Sequence, residues 1–553
     1  MTQASHAPMS PDRSSAELSA AYEAGLLREA NRAYTDKRWA ECGQLVQRVL
    51  AKRPQSVQAW RLAGALAFQA GRLAQAQAAF ERVLALTQAE PADGEGHSSP
   101  DAPPAGAVAA DDWFNLGSAL DQPQRPELAG RAEQAYYRAL ALGSTQKDAV
   151  LRQLAALLRA QYRFQEARDL WQSELDVALA CADAPSQARA YTALGAVALE
   201  EGRWPAAKPL VEAACAADPG YAESQFSRAL GLLAEGDFEA GWLAHEWRWK
   251  VSQAQGCWRD YGPVWAGDGL GNRILLVWAE QGLGDAMQFA RFLPPLRAAH
   301  PQAGLLLACR RGLHPVLAGM AARENITLLP AEEAVPGRVR GHDVHVPLLS
   351  LPLHLRCTLS RLPPPAPLSA SLQSKALWNE RMARFSLAPM PRSAKGVARG
   401  RAMRQLGLVW SGSDAQVMAR RRNIRLADLE PLLSVRGVQW HSLQLGPAAA
   451  EIATSAWQGS IVDWSHHLAD FGDTAGLMAC LDGVVSVDTA CVHLAASLGR
   501  PTWMLSRFDA CWRWMAPRED SPWYPSLKIF NQEAPGDWEP VVRALGAHLN
   551  AAT

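Results

Sequence analysis

Two apolar rhythms divide the chain. From Ala20 to Lys250, apolar residues recur at three- and four-residue spacing in a background rich in Ala, Leu, Arg and Gln, which predicts amphipathic helices. The helical pattern itself repeats: Ala30 and Gly64 lie 64 − 30 = 34 residues apart, as do Val46 and Phe80, 80 − 46 = 34. Trp60, Gly64, Ala76 and Phe80 recur as Trp113, Gly117, Ala132 and Tyr136, and again in Leu194, Gly195, Ala207, Val211, Ala214 and Pro219. Ala167 and Trp171 mark another copy, and Gly231 opens a divergent last one. Small residues at the Gly and Ala positions let two helices approach, and the large ones fill the gap to the next pair; about six helix pairs are expected.

After Trp265 the rhythm changes. Short apolar runs at 274–278, 305–309, 326–329 and 344–349 alternate with helical stretches, and a second set follows at 406–410, 438–443, 483–487 and 503–505. Strands alternating with helices predict parallel sheets in two doubly wound domains. The expected fold is therefore a helical solenoid followed by two Rossmann-like α/β domains. Residues 1–19 are expected to be disordered, 20–250 to form the repeats with a flexible Pro-rich insert at 89–111, 260–360 the first α/β domain, 361–404 a linker holding one helix near 377–385, and 405–545 the second α/β domain. Ligands of such domains sit at the carboxyl ends of the strands.

Composition narrows the function classes. Lys+Arg and Asp+Glu are both 55, so nothing draws the chain to nucleic acid or an anionic membrane. No apolar run reaches the roughly 18 residues of a membrane span, and Met1–Ser15 has no apolar signal segment. The nine cysteines include no Cys-x-x-Cys pair, so a structural zinc or a disulfide framework is not expected and a reducing cytoplasm is.

Two loops carry candidate chemistry. After the first strand come Glu280, Gln281, Gly282, Gly284 and Asp285, running into a helix with Gln288, Phe289 and Arg291. Glycines there admit a ligand close to the helix N-terminus. Asp285 is a candidate general base or simply a helix cap. At the end of the seventh strand stands Ser486, and after it come Asp488, Thr489 and His493, again strand, polar turn and helix. That turn suits a diphosphate; His493 faces the same site or packs in the core.

The repeat half resembles tetratricopeptide proteins, which present a concave surface to peptides and proteins. From Trp265 to about Gln532 the chain resembles the bacterial tetratricopeptide proteins whose C-terminal region is similar to family 9 glycosyltransferases, the heptosyltransferases of GT-B fold. The resemblance rests on Glu280–Arg291 and Ser486–Ala495, on Pro347–Pro352, on Gly407, Leu408, Val409, Trp410 and Gly412, on Ser442–Gln444, on Asp470–Ala475, on Trp512–Trp514 and on Ser521–Pro525. It extends to Gly236–Trp242 and Glu246–Arg248 at the junction. It implies Asp285 as catalytic base. It implies donor contacts from Gly284, Ser411, Ser413, Arg420, Arg422, Gln444, Asp473, Thr474, Asp488, Thr489 and His493. Gln281, Gln288, Arg291, Trp512 and Arg513 become acceptor or cleft residues. The chain departs from the family at Ser411 and Ser413, where Ala and Asn are usual, and at Ala419 and Asn423, where Asp and Ser are usual.

The implied reaction moves a sugar from a nucleotide sugar to an acceptor hydroxyl on a protein or a surface glycan. It needs no metal or cofactor, because no Asp-x-Asp pair occurs in this half and arginines suit the diphosphate. The array would recognise the acceptor or a partner protein. The alternative is a non-catalytic adaptor with a degenerate transferase module. The tryptophans at 512, 514 and 523 either shape the cleft or pack the C-terminal segment onto the first α/β domain.

Overall fold

The computed structural model describes residues 12–89, 105–122, 125–251, 257–386, 403–413, 419–515 and 518–551. The chain divides into two compact units, residues 1–170 and 171–553.

The first unit is helical: α1 Asp12–Thr35, α2 Trp39–Lys52, α3 Val57–Gln69, α4 Leu73–Ala89, α5 Ala105–Leu120, α6 Ala129–Ala141 and α7 Lys147–Ala160. α8, Phe164–Ala180, begins in it and ends in the second unit. The residue logic of the repeat is visible where paired helices meet. A Cβ on Gly64 would lie 2.6 Å from the Phe80 ring, and one on Gly117 2.6 Å from the Tyr136 ring. Each large residue thus occupies the space that its glycine leaves open. Two expectations need correction. Residues 12–19 and 105–111 are the first turns of α1 and α5, not disordered or loop segments. Residues 105–111 are Ala-rich, and both segments run directly into longer helix, so propensity and cooperative extension favour another turn or two. Residues 1–11 and 90–104 lie outside the described residues.

After the end of α8, the second unit continues with α9 Ala184–Glu200, α10 Trp204–Ala217, α11 Ala222–Glu235 and α12 Phe238–His245. The glycine logic continues: Cβ atoms on Gly195 and Gly231 would meet Val211 at 2.9 Å and Trp204 at 1.6 Å. Two wholly parallel sheets follow. The first has order β3-β2-β1-β4, with β1 Ile274–Trp278, β2 Gly304–Cys309, β3 Ile326–Pro330 and β4 Val344–Pro347. The second has order β10-β9-β8-β5-β6-β7, with β5 Arg404–Val409, β6 Val438–Ser442, β7 Ile461–Asp463, β8 Gly483–Val487, β9 Thr502–Ser506 and β10 Leu527–Asn531. β1, β4, β6 and β8 are buried along almost every residue, as parallel strands covered on both faces must be.

The linker helix, Leu372–Ser386, packs against the second sheet's helix Phe471–Ala479. Ser374 donates to the Gly472 carbonyl at 3.0 Å, and the fully buried Trp378 meets Trp464 edge-on at 5.3 Å. One apolar core joins the end of the array to both sheets: Phe238 and Trp242 belong to it with Phe289, Leu443, Val484 and Trp523. Among the described residues no helix is long and apolar enough to cross a membrane.

Candidate functional site

The parallel arrangement brings the carboxyl ends of β5, β6 and β8 into one row, and the loop after β1 faces them across a cavity of about 1090 Å³. Of the residues singled out in the sequence, Gly284, Asp285, Ser411, Ser413, Arg422, Gln444, Thr474, Asp488, Thr489, His493 and Arg513 line this cavity.

Asp285 belongs to the helix Leu283–Phe289. Its Oδ2 accepts the Gly282 N–H at 3.0 Å, closing the helix N-terminus. Its Oδ1 is ion-paired with Arg513 Nη2. The cap is thus realised, and the same side chain lines the cavity. Arg513 is held in turn by Gln288 Oε1 at 2.9 Å and by Cys511 Sγ at 3.1 Å. Burial is the largest single influence and opposes its charge, but Asp285, Cys511 and Asp488 together outweigh burial and hold the guanidinium above its ordinary range.

Opposite stands the turn after β8. Thr489 caps the helix Ala490–Ser497, its hydroxyl accepting the Cys491 N–H at 3.3 Å. Ser486 Oγ lies 3.1 Å from the Thr489 hydroxyl and fixes the turn. One turn on, His493 is 5 % exposed, stacks on Trp514 at 5.4 Å and meets the Tyr524 hydroxyl through Nδ1 at 3.0 Å. Burial lowers its pKa to about 4, so the ring is neutral at neutral pH. A Cβ on Gly284 would lie 2.7 Å from His493 Cδ2. Gly284 is therefore where the two α/β domains touch, and only hydrogen fits there.

The β5 and β6 ends supply a framework rather than free ligands. Gln444 Oε1 accepts the N–H groups of Trp410 and Ser411 at 3.0 and 2.9 Å, and its Nε2 donates to the carbonyls of Ser411 and Leu445 at 3.0 and 2.8 Å. Gln444 thus positions the loop, because its amide is already saturated by main chain. Asn423 accepts the Gly412 N–H at 2.9 Å. Arg422 reaches across to the Asp488 carbonyl at 3.1 Å, and a Cβ on Gly412 would lie 2.2 Å from its Nη2. Arg421 turns the other way, into a buried ion pair with Glu200 at 2.9 Å and Asp509 at 2.6 Å. The Arg420 side chain lies outside the described residues.

Five expected site residues do not line the cavity. Gln281 is exposed beside it. Gln288 and Arg291 are fully buried. Arg291 donates to the carbonyls of Pro363 at 3.2 Å and Trp523 at 2.9 Å and lies over the rings of Trp523 and Tyr524, so it pins the C-terminal segment instead of facing an acceptor. Trp512 packs on Trp242 and Trp523 at 5.7 and 6.0 Å and lines a neighbouring cavity. Asp473 accepts the Ala469 N–H at 3.1 Å. Of the adjacent carboxylates, Asp470 is the one in the cavity, where it caps the helix Phe471–Ala479 through the N–H groups of Gly472 and Asp473 at 2.8 and 3.1 Å. Arg310, Glu332 and Arg507 also line the cavity and were not anticipated. Arg310 and Arg507 directly follow β2 and β9, and Glu332 lies two residues after β3, which is the signal that strand-end counting would have used.

The tetratricopeptide repeat family matches residues 147–220. Protein FlbA of Caulobacter vibrioides is 27% identical over 563 aligned residues, covering 92% of this chain and 87% of that protein. Among solved structures, the glycosyl transferase family 9 protein of Veillonella parvula DSM 2008 aligns with 52% of this chain and 99% of its own, at 13% identity and a TM-score of 0.37. The ADP-heptose lps heptosyltransferase II of E. coli aligns with 50% of this chain and 99% of its own, at 14% identity and a TM-score of 0.33. The chain has a tetratricopeptide-type helical region followed by an α/β region of two parallel sheets.

Proposed function

We propose that the α/β half is a glycosyltransferase of GT-B type that moves a sugar from a nucleotide sugar to an acceptor hydroxyl, on a protein or a surface glycan. The observation that carries this reading is the convergence of Asp285, Arg422, Arg513 and the Thr489 helix N-terminus on one cavity at the strand ends. The diphosphate lies against the Thr489 turn and Arg422. Oriented N–H groups and a guanidinium stabilise charge that grows on the leaving group, with no divalent ion required. Asp285 accepts the acceptor's proton through a lone pair that Gly282 and Arg513 leave open. Burial keeps His493 uncharged, so it lines the donor pocket as a hydrogen-bonding group. The helical repeats hold the acceptor or a partner protein.

One observation favours the adaptor alternative: both Asp285 oxygens are already engaged. Turnover separates the two readings. With the correct nucleotide sugar, Asp285→Asn keeps the cap, because the amide oxygen still accepts from Gly282, and loses about 10²- to 10⁴-fold in kcat. An Asp285→Asn protein as active as the parent excludes Asp285 as base, and a parent that turns over none of the ADP, GDP and UDP sugars sinks the transferase reading.

A further inference from the structure

Arg507 directly follows β9, the strand beside β8 in the second sheet. It therefore stands next to the Asp488–Thr489 turn in the row of strand ends. Its side chain is only 15% exposed. Yet Nε and Nη1 are buried without a hydrogen-bond partner, and the nearest carboxylate oxygen, on Asp509, is 3.5 Å from Nε. Asp509 already holds Arg421 at 2.6 Å. A buried guanidinium with unfilled donors is costly unless something completes it.

Arg507 lines the cavity described above and also a second cavity of about 920 Å³, between α9–α11 and the second sheet. The second cavity is walled by Glu200, Asp509, Glu519 and Glu533 against only Arg507 and Arg518. An anion is disfavoured there. In the first cavity Arg310, Arg422, Arg507 and Arg513 balance Asp285, Glu332, Asp470 and Asp488. Asp285 and Arg513 neutralise each other, and of the three carboxylates left opposite Arg310, Arg422 and Arg507, Asp470 is engaged by main-chain N–H groups. The anion that completes Arg507 therefore belongs in the first cavity.

We infer that Arg507 is a diphosphate-binding residue of this chain, pairing with the diphosphate of the nucleotide from the β9 side while Arg422 approaches from the β5 side. This rests on the reading of the cavity as a nucleotide-sugar site. It also assigns a cation to the site in a chain whose Arg421 is diverted into the Glu200–Asp509 pair.

The test is titration calorimetry of the full chain and of Arg507→Met with inorganic pyrophosphate, with ADP, GDP and UDP, and with the matching nucleosides. The expected result is a loss of tenfold or more for pyrophosphate and for the preferred nucleoside diphosphate, with the nucleoside's affinity unchanged. Arg507→Lys recovers part of the loss, because a point charge replaces a fork. Equal affinities in parent and Arg507→Met overturn the inference and leave the cavity's reading standing. Equal losses for diphosphate and nucleoside make Arg507 a structural residue and also overturn it. A parent that binds none of the probes overturns the nucleotide-sugar reading itself.

Discussion

Glu280 shows how much one residue beside the site depends on the junction with the array. It is buried, its carboxylate bonded to Arg248 at 2.9 Å and to the Leu349 N–H at 3.4 Å, and Arg248 also holds Glu246 at 2.5 Å and Ser350 at 2.8 Å. Burial raises its pKa from 4.5 to about 7 in spite of Arg248. A carboxyl whose folded pKa lies above its unfolded one contributes stability that is complete below pH 4.5 and is lost as pH rises through 7. Urea unfolding of the parent and Glu280→Gln at pH 5 and pH 8 checks this. The parent should lose stability relative to the variant between the two, and a pH-independent difference would contradict the assignment. The sequence shows Glu280 as part of a motif, but not its partner, because Arg248 lies 32 positions from Glu280 and Ser350 lies 102 positions from Arg248. That Asp285 caps its helix was legible; its ion pair with Arg513, 228 residues distant, was not.

At the scale of elements, the loop that carries Arg422 is tied to the array rather than to the sheet alone. Arg421 is 3% exposed and lies between Glu200, the last residue of α9, and Asp509, just after β9. Glu200 and Asp509 hold its charge above the ordinary arginine range against the opposing effect of burial. Removing one member of such a group strands the others: Arg421→Ala should cost about 3–5 kcal/mol in thermal or chemical unfolding. A cost below about 1 kcal/mol, the range of an exposed pair, would show that the link to α9 is dispensable. Eight of the strands are predictable from their apolar runs, with ends shifted by a residue or two; residues 348–349, read as strand, turn instead into a short helix after Pro347. β7 and β10 were missed. β7 has three residues, too few to show an alternation, and β10 sits just after the turn-forming Ser521–Pro525 segment, which masks it.

Across the whole molecule, the 34-residue period makes the solenoid readable, since one glycine and one large residue per pair suffice to mark it. The unit boundary is another matter. α9 to α12 carry the repeat pattern yet lie in the same compact unit as the two sheets. The cause is the shared core in which Trp242 meets Phe289 and Trp512, and Phe238 meets Trp523, at 5.3–6.0 Å between neighbouring rings. Such aromatic pairs add about 0.5–1.5 kcal/mol each beyond their burial, and no spacing rule places them. The same joining puts the last helices of the array at the wall of the second cavity, beside the residues that follow β9. The central claim is that the first cavity takes a nucleotide sugar. Its most direct test is the melting temperature of the full chain with ADP, GDP and UDP sugars at millimolar concentration. One nucleotide class should stabilise the protein, by about 2.7 kcal/mol at 100 times its Kd, and the corresponding nucleoside diphosphate should compete. No shift with any of the three would contradict the claim.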